Sequence, residues 1–310
     1  MKEVLIVGSI GLDSLKTPFG ERTDILGGSV SYASIASSLF SPVNISGIVG
    51  NDFPQEYIDL FRNRGINLEG LEINEGSTFK WSGYYEYDMN QAHTIDTRLN
   101  AFADFNPVLP QNYLDSKFIF LANIHPTLQL NVLNQVNNPE FTILDTMNYW
   151  ITGAKDELLE VISRVDLVLL NEGEARQLCD TPNLIQAAKK VLEMGPSYVI
   201  IKKGEHGAIL MDKDGEIFSS PAYPLDSLKD PTGAGDTFAG GFIGYLAKCG
   251  EVNSSNLRKS IVIGSALASF TAQDFSLDRL KTVTHDELFD RCLEIERLTA
   301  FESPALPQLV

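Results

Sequence analysis

The feature that most restricts the fold of this chain is a regular alternation of short apolar runs with longer helix-like segments. The apolar runs are rich in β-branched residues, which is typical of buried strands. They are Val4–Val7, Ile45–Val49, Phe118–Leu121, Phe141–Leu144, Leu167–Leu170 and Tyr198–Ile201. The helix-like segments between them are Ser29–Phe40, Pro54–Arg64, Leu128–Gln135, Lys155–Ser163, Glu172–Leu178 and Ile185–Met194. This alternation predicts an α/β fold with a mainly parallel sheet and helices on both faces.

The last third of the chain departs from this alternation. It predicts a hairpin followed by three helices: strands Ala208–Met211 and Glu216–Ser219 around the turn Asp212–Gly215, then helices Gly233–Lys248, Asn256–Thr271 and His285–Thr299. The 310 residues fit one large α/β domain, and neither an internal repeat nor a long linker divides them. We therefore expect a single domain over residues 1–310.

Two other segments also interrupt the alternation of strands and helices. Residues 14–26 contain a Thr-Pro-Phe-Gly turn, and residues 78–96 are polar and aromatic with a period of two. On a strand, one face would carry Phe79, Trp81, Tyr85 and Tyr87. We expect a small accessory sheet whose aromatic face packs on the parent domain or a partner subunit, or covers a ligand as a lid. An exposed aromatic edge there would allow a homodimer through the lid sheet.

The charge balance limits the partners of this chain. Its 24 Lys and Arg residues stand against 41 Asp and Glu residues, which gives a formal net charge of −17. Nucleic acids and anionic membrane surfaces are disfavoured, because binding them requires a basic surface. A phosphate ligand would need local backbone amides, a few placed cations or a metal.

The cysteines and the apolar segments indicate the compartment. The three cysteines are widely spaced and form no C-x-x-C pattern, so neither a disulfide framework nor a zinc site is expected. The apolar run at the N-terminus is too short for a signal-peptide core, and no later stretch approaches the length of a membrane span. We therefore expect a cytoplasmic protein.

The sharpest chemical signal is the segment Asp230–Phe238, DPTGAGDTF, which leads into an apolar stretch rich in glycine. A glycine-rich turn that opens a helix presents free N–H groups and the positive end of the helix dipole, so it binds anions without a lysine. Gly233 and Gly235 would let a phosphate approach. Neither the Walker pattern nor the dinucleotide fingerprint is present.

Asp236 stands in the first turn of this helix, where the phosphate would bind. In a helix start of unknown context, such an Asp is usually only a partner of the helix dipole. An ionised carboxylate beside a phosphate is electrostatically unfavourable, however, unless it takes a proton from a hydroxyl that attacks the phosphorus. The sequence therefore predicts Asp236 as a general base in phosphoryl transfer.

The stretch DPTGAGDTFAGGF closely resembles the C-terminal signature of the ribokinase-like, or PfkB, carbohydrate kinases. Further stretches agree in order with motifs of that family: Gly8–Asp13, Gly27–Gly28, Asp145–Asn148 with the nearby Trp150, Asn171–Glu174 and Gly204–Gly207. The resemblance covers about residues 3–250. It implies a ribokinase-like three-layer α/β/α sandwich with a small β-sheet lid, ATP with Mg²⁺ as phosphoryl donor, and an alcohol as acceptor.

The resemblance also implies roles for single residues. The acceptor would be bound by Asp13, Gly27 and Gly28, and the nucleotide by Asn171, Gly204, Gly207 and Thr232. Glu174 would orient a hydrated Mg²⁺, since Asn171 and Glu174 can face the same side of a helix; alternatively, Glu174 is a solvated acid at a helix start. Lys202 would meet phosphate charge, or be solvated at its strand end.

The chemistry expected of the signature turn agrees with these roles. Phosphoryl transfer depends mainly on positioning and on charge neutralisation. The backbone amides of Ala234, Gly235 and Asp236 would therefore stabilise the oxygens of the transferring group, together with Gly233, while Asp236 activates the acceptor hydroxyl.

The chain departs from the family pattern at two positions that bear on specificity. Tyr32 stands where the family usually has an Asn that contacts sugar hydroxyls, and Lys202 stands where many relatives have a Thr. Tyr32 would stack on a flat part of the acceptor, offer its hydroxyl to a polyol, or pack inside the helix–sheet interface. We expect a kinase that phosphorylates a sugar or sugar-like alcohol. The alternatives are a nucleoside, polyol or vitamin-alcohol kinase of the same fold, or a non-catalytic ligand-binding relative.

Overall fold

Two β-sheets of different size organise residues 2–301, the part of the chain that this computed structural model describes. The strands are β1 (Val4–Val7), β2 (Gly11–Thr17), β3 (Gly20–Gly27), β4 (Val43–Gly50), β5 (Asn67–Asn74), β6 (Phe79–Tyr85), β7 (Ala92–Arg98), β8 (Phe118–Leu121), β9 (Phe141–Asp145), β10 (Leu167–Asn171), β11 (Tyr198–Lys202), β12 (Ala208–Asp212) and β13 (Ile217–Ser220). The helices are α1 (Ser29–Ser37), α2 (Gln55–Asn63), α3 (Pro126–Gln135), α4 (Asn148–Gly153), α5 (Lys155–Ile162), α6 (Glu172–Cys179), α7 (Leu184–Glu193), α8 (Ala234–Cys249), α9 (Ser254–Ala272) and α10 (His285–Thr299).

The larger sheet has nine strands in the order β13-β12-β11-β10-β9-β8-β1-β4-β5. Its strands pair in parallel from β11 to β5, and the hairpin strands β12 and β13 are antiparallel. The predicted, mainly parallel sheet is confirmed. Since all its parallel strands point the same way, their carboxyl ends meet at one edge, where open α/β sheets bind ligands.

Alternate residues of the central strand β1 face two different apolar layers. Val4 and Ile6 pack in a cluster with residues of α1, α8 and α9. Leu5 and Val7 pack in a second cluster with residues of α5, α6 and α7. All four side chains are fully buried, and each such burial contributes about 1.5–3 kcal/mol. The sheet is thus covered on both faces, which confirms the predicted three-layer arrangement.

Glycines in α8 let this helix lie directly against α1. A Cβ atom on Gly240 would lie 2.2 Å from the carbonyl oxygen of Ala33, and one on Gly244 would lie 2.7 Å from Cα of Ser37. Only glycine fits this approach without displacing backbone. The contact fixes the N-terminal end of α8, which carries Asp236.

The smaller sheet, the lid sheet, has four strands in the order β3-β2-β6-β7. It confirms the accessory sheet expected from residues 14–26 and 78–96, although the second segment forms two strands. The prediction that Tyr87 shares the aromatic face of β6 is wrong. Tyr87 lies beyond the strand, in the turn to β7, and is 88% exposed.

Two elements of the structure were not expected from the sequence. Strand β5 pairs in parallel with β4 at the edge of the large sheet, and α4 follows β9. Four of the eight residues of β5 are polar and all but Gly70 are at least partly exposed, so the strand lacks the apolar run that marks the others.

All three cysteines lie within the described residues. Cys179, Cys249 and Cys292 are free thiols. Among residues 2–301, no helix combines the length and apolar character that crossing a membrane requires.

Candidate active site

The signature turn brings its backbone N–H groups to the start of α8. Gly233 has φ +75°, and a Cβ atom there would lie 2.4 Å from the ring of Tyr32, so the position requires glycine. The N–H of Ala234 donates to Pro231 O at 3.1 Å. The sequence predicts an anion hole formed by the amides of Ala234, Gly235 and Asp236; among residues 2–301 the amides of Gly235 and Asp236 have no backbone carbonyl partner, whereas the turn itself uses the amide of Ala234.

Asp236 lies in the first turn of α8 beside these N–H groups. Burial raises the pKa of its carboxyl group to about 7; the nearby Asp145 carboxylate adds to the shift, and Lys202 opposes it. A carboxyl group whose pKa lies near neutrality can take a proton from a hydroxyl and release it again. Geometry and electrostatics thus suit Asp236 to the role of a general base.

Lys202 ends β11 and lies among carboxylates at the edge of the sheet. Its Nζ donates to Asp145 Oδ2 at 2.8 Å, and only 17% of its side chain is exposed. Nζ would be 3.3 Å from a Cβ atom on Gly235, so the ammonium group lies directly beside the anion hole. The solvated alternative for Lys202 is excluded, because parallel pairing brings the ends of β9, β10 and β11 together.

Asn171 and Glu174 form a capping box at the start of α6. Asn171 Oδ1 accepts from the N–H of Glu174 at 2.8 Å, and Glu174 Oε2 accepts from the N–H of Asn171 at 2.7 Å. Burial and the Asp145 charge raise the pKa of Glu174 to about 7, and Lys202 opposes this shift. Glu174 is only 8% exposed, so the solvated alternative is wrong.

These residues fit a magnesium ion carried by a nucleotide. Among residues 2–301, no three His, Cys, Asp or Glu side chains are grouped as a metal cage. Mg²⁺ usually keeps several waters and is held by one or two carboxylates together with substrate phosphates. Glu174 and Asp145, which both lie near the ammonium group of Lys202, form a donor set of that kind.

The acceptor residues suggested by the sequence lie where the lid sheet leaves the core. Asp13 on β2 is 4% exposed, and a Cβ atom on Gly27 would lie 2.0 Å from Asp13 Oδ2. Gly28 has φ +87°, and a side chain there would meet the backbone of Ser9. Burial, Asp230 and Asp236 raise the pKa of Asp13 to about 8. The glycine pair thus makes room for a buried carboxyl group close to Asp236.

Tyr32 packs beneath the signature turn and is 1% exposed. Burial and the charges of Asp13, Asp230 and Asp236 raise the pKa of its hydroxyl well above the usual range. Of the alternatives for Tyr32, the structure supports packing inside the helix–sheet interface. Its ring forms the floor under Gly233 and offers no stacking surface to an acceptor.

The remaining nucleotide candidates lie in two loops. Gly204 and Gly207 lie at the two ends of a short 3₁₀ turn after Lys202, and both have positive φ. A Cβ atom on Gly207 would lie 2.0 Å from Ser220 O. Thr232 precedes the anion hole, and its hydroxyl donates to the hydroxyl of Tyr85 on the lid at 3.1 Å. Thr232 is therefore engaged by the lid in this conformation.

Sequence reasoning gave no site role to Asp145, Asp230 or Tyr85. Asp145 ends a buried strand next to Lys202, a position that the strand pattern contains, and Asp230 opens the signature. Asp230 is completely buried, and burial raises the pKa of its carboxyl group. The contact of Tyr85 with Thr232 spans 147 residues of sequence and carries no local signal.

Comparisons with known proteins identify the family of this chain. The model of the pfkB family carbohydrate kinases matches residues 21–281. A cytidine kinase from Thermococcus kodakarensis is 30% identical over 251 residues, which cover 79% of this chain and 89% of that protein.

Two solved structures share the fold. The nucleoside kinase of Methanocaldococcus jannaschii superposes with a TM-score of 0.76 at 22% identity, covering 95% of this chain and 99% of the other. The aminoimidazole riboside kinase of Salmonella enterica, solved with its riboside and an ATP analogue, gives a TM-score of 0.76 at 18% identity and covers 94% and 100%. The chain belongs to the pfkB family of carbohydrate kinases and has the ribokinase-like fold.

Proposed function

We propose that this kinase transfers the γ-phosphoryl group of ATP, with Mg²⁺, to the hydroxymethyl group of a nucleoside. The observation that carries the proposal is the position of Asp236 at the start of α8, where it is close to both the cation of Lys202 and the buried carboxyl group of Asp13. The similarity to a cytidine kinase over 79% of the chain supports the nucleoside class.

In the proposed mechanism, the oxygen of the acceptor hydroxyl attacks the γ-phosphorus while Asp236 takes the proton of that hydroxyl. The bond between this phosphorus and the oxygen of the leaving ADP breaks as the new bond forms. The N–H groups of Gly235 and Asp236 and the ammonium group of Lys202 stabilise the negative charge on the transferring oxygens. A Mg²⁺ ion bound with the nucleotide would supply further charge neutralisation, and Glu174 and Asp145 would hold it.

The acceptor side favours a flat substrate. Trp81 on β6 pairs with Asp13 on β2, so its ring shares the face of the lid sheet that carries Asp13. Trp81 is partly exposed, and its indole N–H donates to Thr94 on β7, which holds the ring along the sheet. Asp13 would bind ribose hydroxyls while the base lies against this aromatic surface.

A homodimer through the lid sheet is a further part of the proposal. Ile95 on β7 is 66% exposed and Tyr87 in the turn before β7 is 88% exposed, which leaves apolar surface uncovered in one chain. Light scattering at working concentration would give twice the mass of one chain; the mass of a single chain would contradict the dimer.

The experiment that tests the function is an ADP-release assay with ATP and Mg²⁺ against cytidine, adenosine, ribose and myo-inositol. We expect kcat/KM for one of the nucleosides to exceed that for ribose at least about tenfold, since a flat base adds contacts to the same hydroxymethyl group. A preference for ribose or inositol would contradict the nucleoside class. Release of ADP with none of the four would contradict the proposed acceptor.

A further inference from the structure

One hydrogen bond joins the lid sheet to the signature turn. The hydroxyl of Thr232 donates to the hydroxyl oxygen of Tyr85 at 3.1 Å, and Tyr85 is the last residue of β6. Among the side-chain hydrogen bonds of residues 2–301, this is the one that links the lid strands to residues 229–238. The contact thus connects the far end of a lid strand with the loop that forms the anion hole.

The lid sheet is also fastened to the core where its strands begin or end. Ser276 donates its hydroxyl hydrogen to the carbonyl of Leu26 at the end of β3. Thr78, just before β6, donates its N–H and its hydroxyl to Asp52 Oδ1, each at 2.7 Å. These bonds attach the lid sheet to the core at the end of β3 and at the start of β6. Tyr85 lies at the opposite end of β6, so its bond to Thr232 attaches the lid sheet to the core at a second place.

The environment of Tyr85 keeps its hydroxyl neutral. Burial raises the pKa of Tyr85 to about 12, the Thr232 bond lowers it, and the charges of Asp230, Asp13 and Asp236 raise it further. A neutral hydroxyl can accept from Thr232 throughout the range in which a kinase works. The effect of these three carboxylates on its pKa also shows that the Tyr85 hydroxyl lies near Asp13, Asp230 and Asp236.

Thr232 transmits this contact to the anion hole. Its N–H donates to Asp230 Oδ1 at 2.9 Å, and the next residue, Gly233, makes the positive-φ turn that starts α8. The orientation of the N–H groups of Gly235 and Asp236 follows from that turn. A bond that fixes Thr232 therefore also fixes the donors that would bind the transferring phosphoryl group.

We propose that Tyr85 is a positioning residue that couples closure of the lid over the acceptor to the assembly of the anion hole through Thr232. The inference rests on the proposed kinase function. With the lid open, Thr232 loses a partner and the turn before α8 loses a constraint. With the lid closed, the acceptor is shielded from water at the same moment that the phosphoryl site is fixed.

The first test compares Tyr85→Phe and Thr232→Val, singly and together, with Tyr84→Phe as the matched control. Tyr84 is the neighbouring tyrosine on the opposite face of β6, where it stacks on His93 with 4.9 Å between ring centres. A neutral hydrogen bond of this kind changes rates by about 3- to 10-fold. We expect Tyr85→Phe to lower kcat with a nucleoside by that factor, to increase ATP hydrolysis relative to transfer, and to leave ATP affinity in calorimetry unchanged.

The double variant separates coupling from two independent effects. If the hydroxyls act through each other, adding Thr232→Val to Tyr85→Phe lowers kcat by less than about twofold more. Two effects that multiply, or a Tyr85→Phe variant that matches Tyr84→Phe, would overturn the proposal. Absence of acceptor-dependent turnover in the wild type and in Tyr84→Phe would instead contradict the kinase function.

A second test does not depend on turnover. Amide hydrogen exchange of the substrate-free protein is measured in a peptide covering Phe79–Tyr85, with Phe118–Leu121 of the core sheet as reference. We expect the lid peptide to exchange about 3- to 10-fold faster in Tyr85→Phe than in the wild type or Tyr84→Phe, with the core peptide unchanged. Equal exchange of the lid peptide in all three proteins would overturn the proposed role of Tyr85.

Discussion

The two sheets of this kinase bury their side chains very differently. All eight residues of β4 in the large sheet are buried, whereas six of the seven residues of β7 in the lid sheet are exposed. A strand buried on both faces is held by packing in every direction, while an exposed strand with few apolar contacts opens at low free-energy cost. Under the proposed function, the rigid large sheet would hold the reacting groups and the more exposed lid sheet would admit and enclose the acceptor.

The candidate site is divided in the same way. Asp145 and Lys202 lie at strand ends of the large sheet, and Asp236 lies on α8, which packs against that sheet. The lid sheet supplies Asp13 and Tyr85. Changes in the first group should therefore act on the chemical step or on global stability, and changes in the second group mainly on the acceptor.

The largest effect is expected for Asp236→Asn. Removing a general base typically lowers turnover by about 10²- to 10⁴-fold, and the amide preserves size while losing basicity. Calorimetry should show ATP affinity within about threefold of the wild type, because the N–H groups of the turn remain. A variant with near-normal kcat would show that the large sheet does not hold the base.

Lys202→Met is expected to have the next largest effect, with Lys203→Met as the matched control. Lys202 lowers the pKa of Asp236, which burial holds at about 7. The base works when ionised, so kcat/KM of the wild type rises with pH through about 7. Without Lys202 the pKa of Asp236 rises, and the rising limb moves to higher pH.

The same variant should also lose rate at every pH, because a cation beside the anion hole is gone; we expect about 10- to 100-fold in kcat. Lys203→Met should keep both the rate and the pH profile, since the Lys203 side chain makes no ion pair among residues 2–301. An unshifted pH profile in Lys202→Met would mean that Lys202 does not act on the base.

Gly240→Ala tests the close packing of α8 against α1 in the core. The new Cβ atom would lie 2.2 Å from the carbonyl oxygen of Ala33, so α8 must move away from α1. Overpacking of this kind lowers the free energy of unfolding by about 1–3 kcal/mol. Gly153→Ala at the end of α4 is the control, because nothing lies within 4 Å of its Cβ position. Equal denaturation midpoints for the two variants would contradict the close helix contact.

The smallest effect is expected in the lid sheet, for Asp24→Asn. Asp24 Oδ1 accepts from Lys80 Nζ at 2.6 Å, but the Asp24 side chain is 58% exposed, and exposed ion pairs contribute at most about 1 kcal/mol. Asn also tolerates the φ of +51° at this position. Chemical denaturation should show a loss below that value; a loss as large as that of Gly240→Ala would remove the contrast between the sheets.

The sequence predicts the large sheet better than the lid and the site, for physical reasons. Buried strands such as Val4–Val7 are apolar throughout, and the anion-binding turn is a local pattern of glycines before a helix. Strand β5 is not predicted by the apolar pattern, because an edge strand needs no apolar run. The burial of Lys202 against Asp145 and the reach of Tyr85 to Thr232 depend on strand order and lid closure, which neighbouring residues do not encode.

The capping box of Asn171 and Glu174 shows how one pattern can carry two meanings. From the sequence, the spacing of three residues suggests that Glu174 orients a hydrated Mg²⁺ ion. In the structure this spacing starts α6 and keeps the Glu174 carboxyl group next to Asp145 and Lys202. A helix cap and a role beside phosphate are compatible, because only one of the two carboxylate oxygens serves the cap. Burial, which separates this acid from a solvated one, is a property of the folded chain.

The most direct test of the central claim is to identify the product formed from γ-³²P-labelled ATP, Mg²⁺ and an equimolar mixture of cytidine, adenosine and ribose. The account predicts that the label appears on the hydroxymethyl oxygen of a nucleoside, with the wild-type protein and not with Asp236→Asn. Label on ribose, label only in free phosphate, or equal transfer by Asp236→Asn would contradict it.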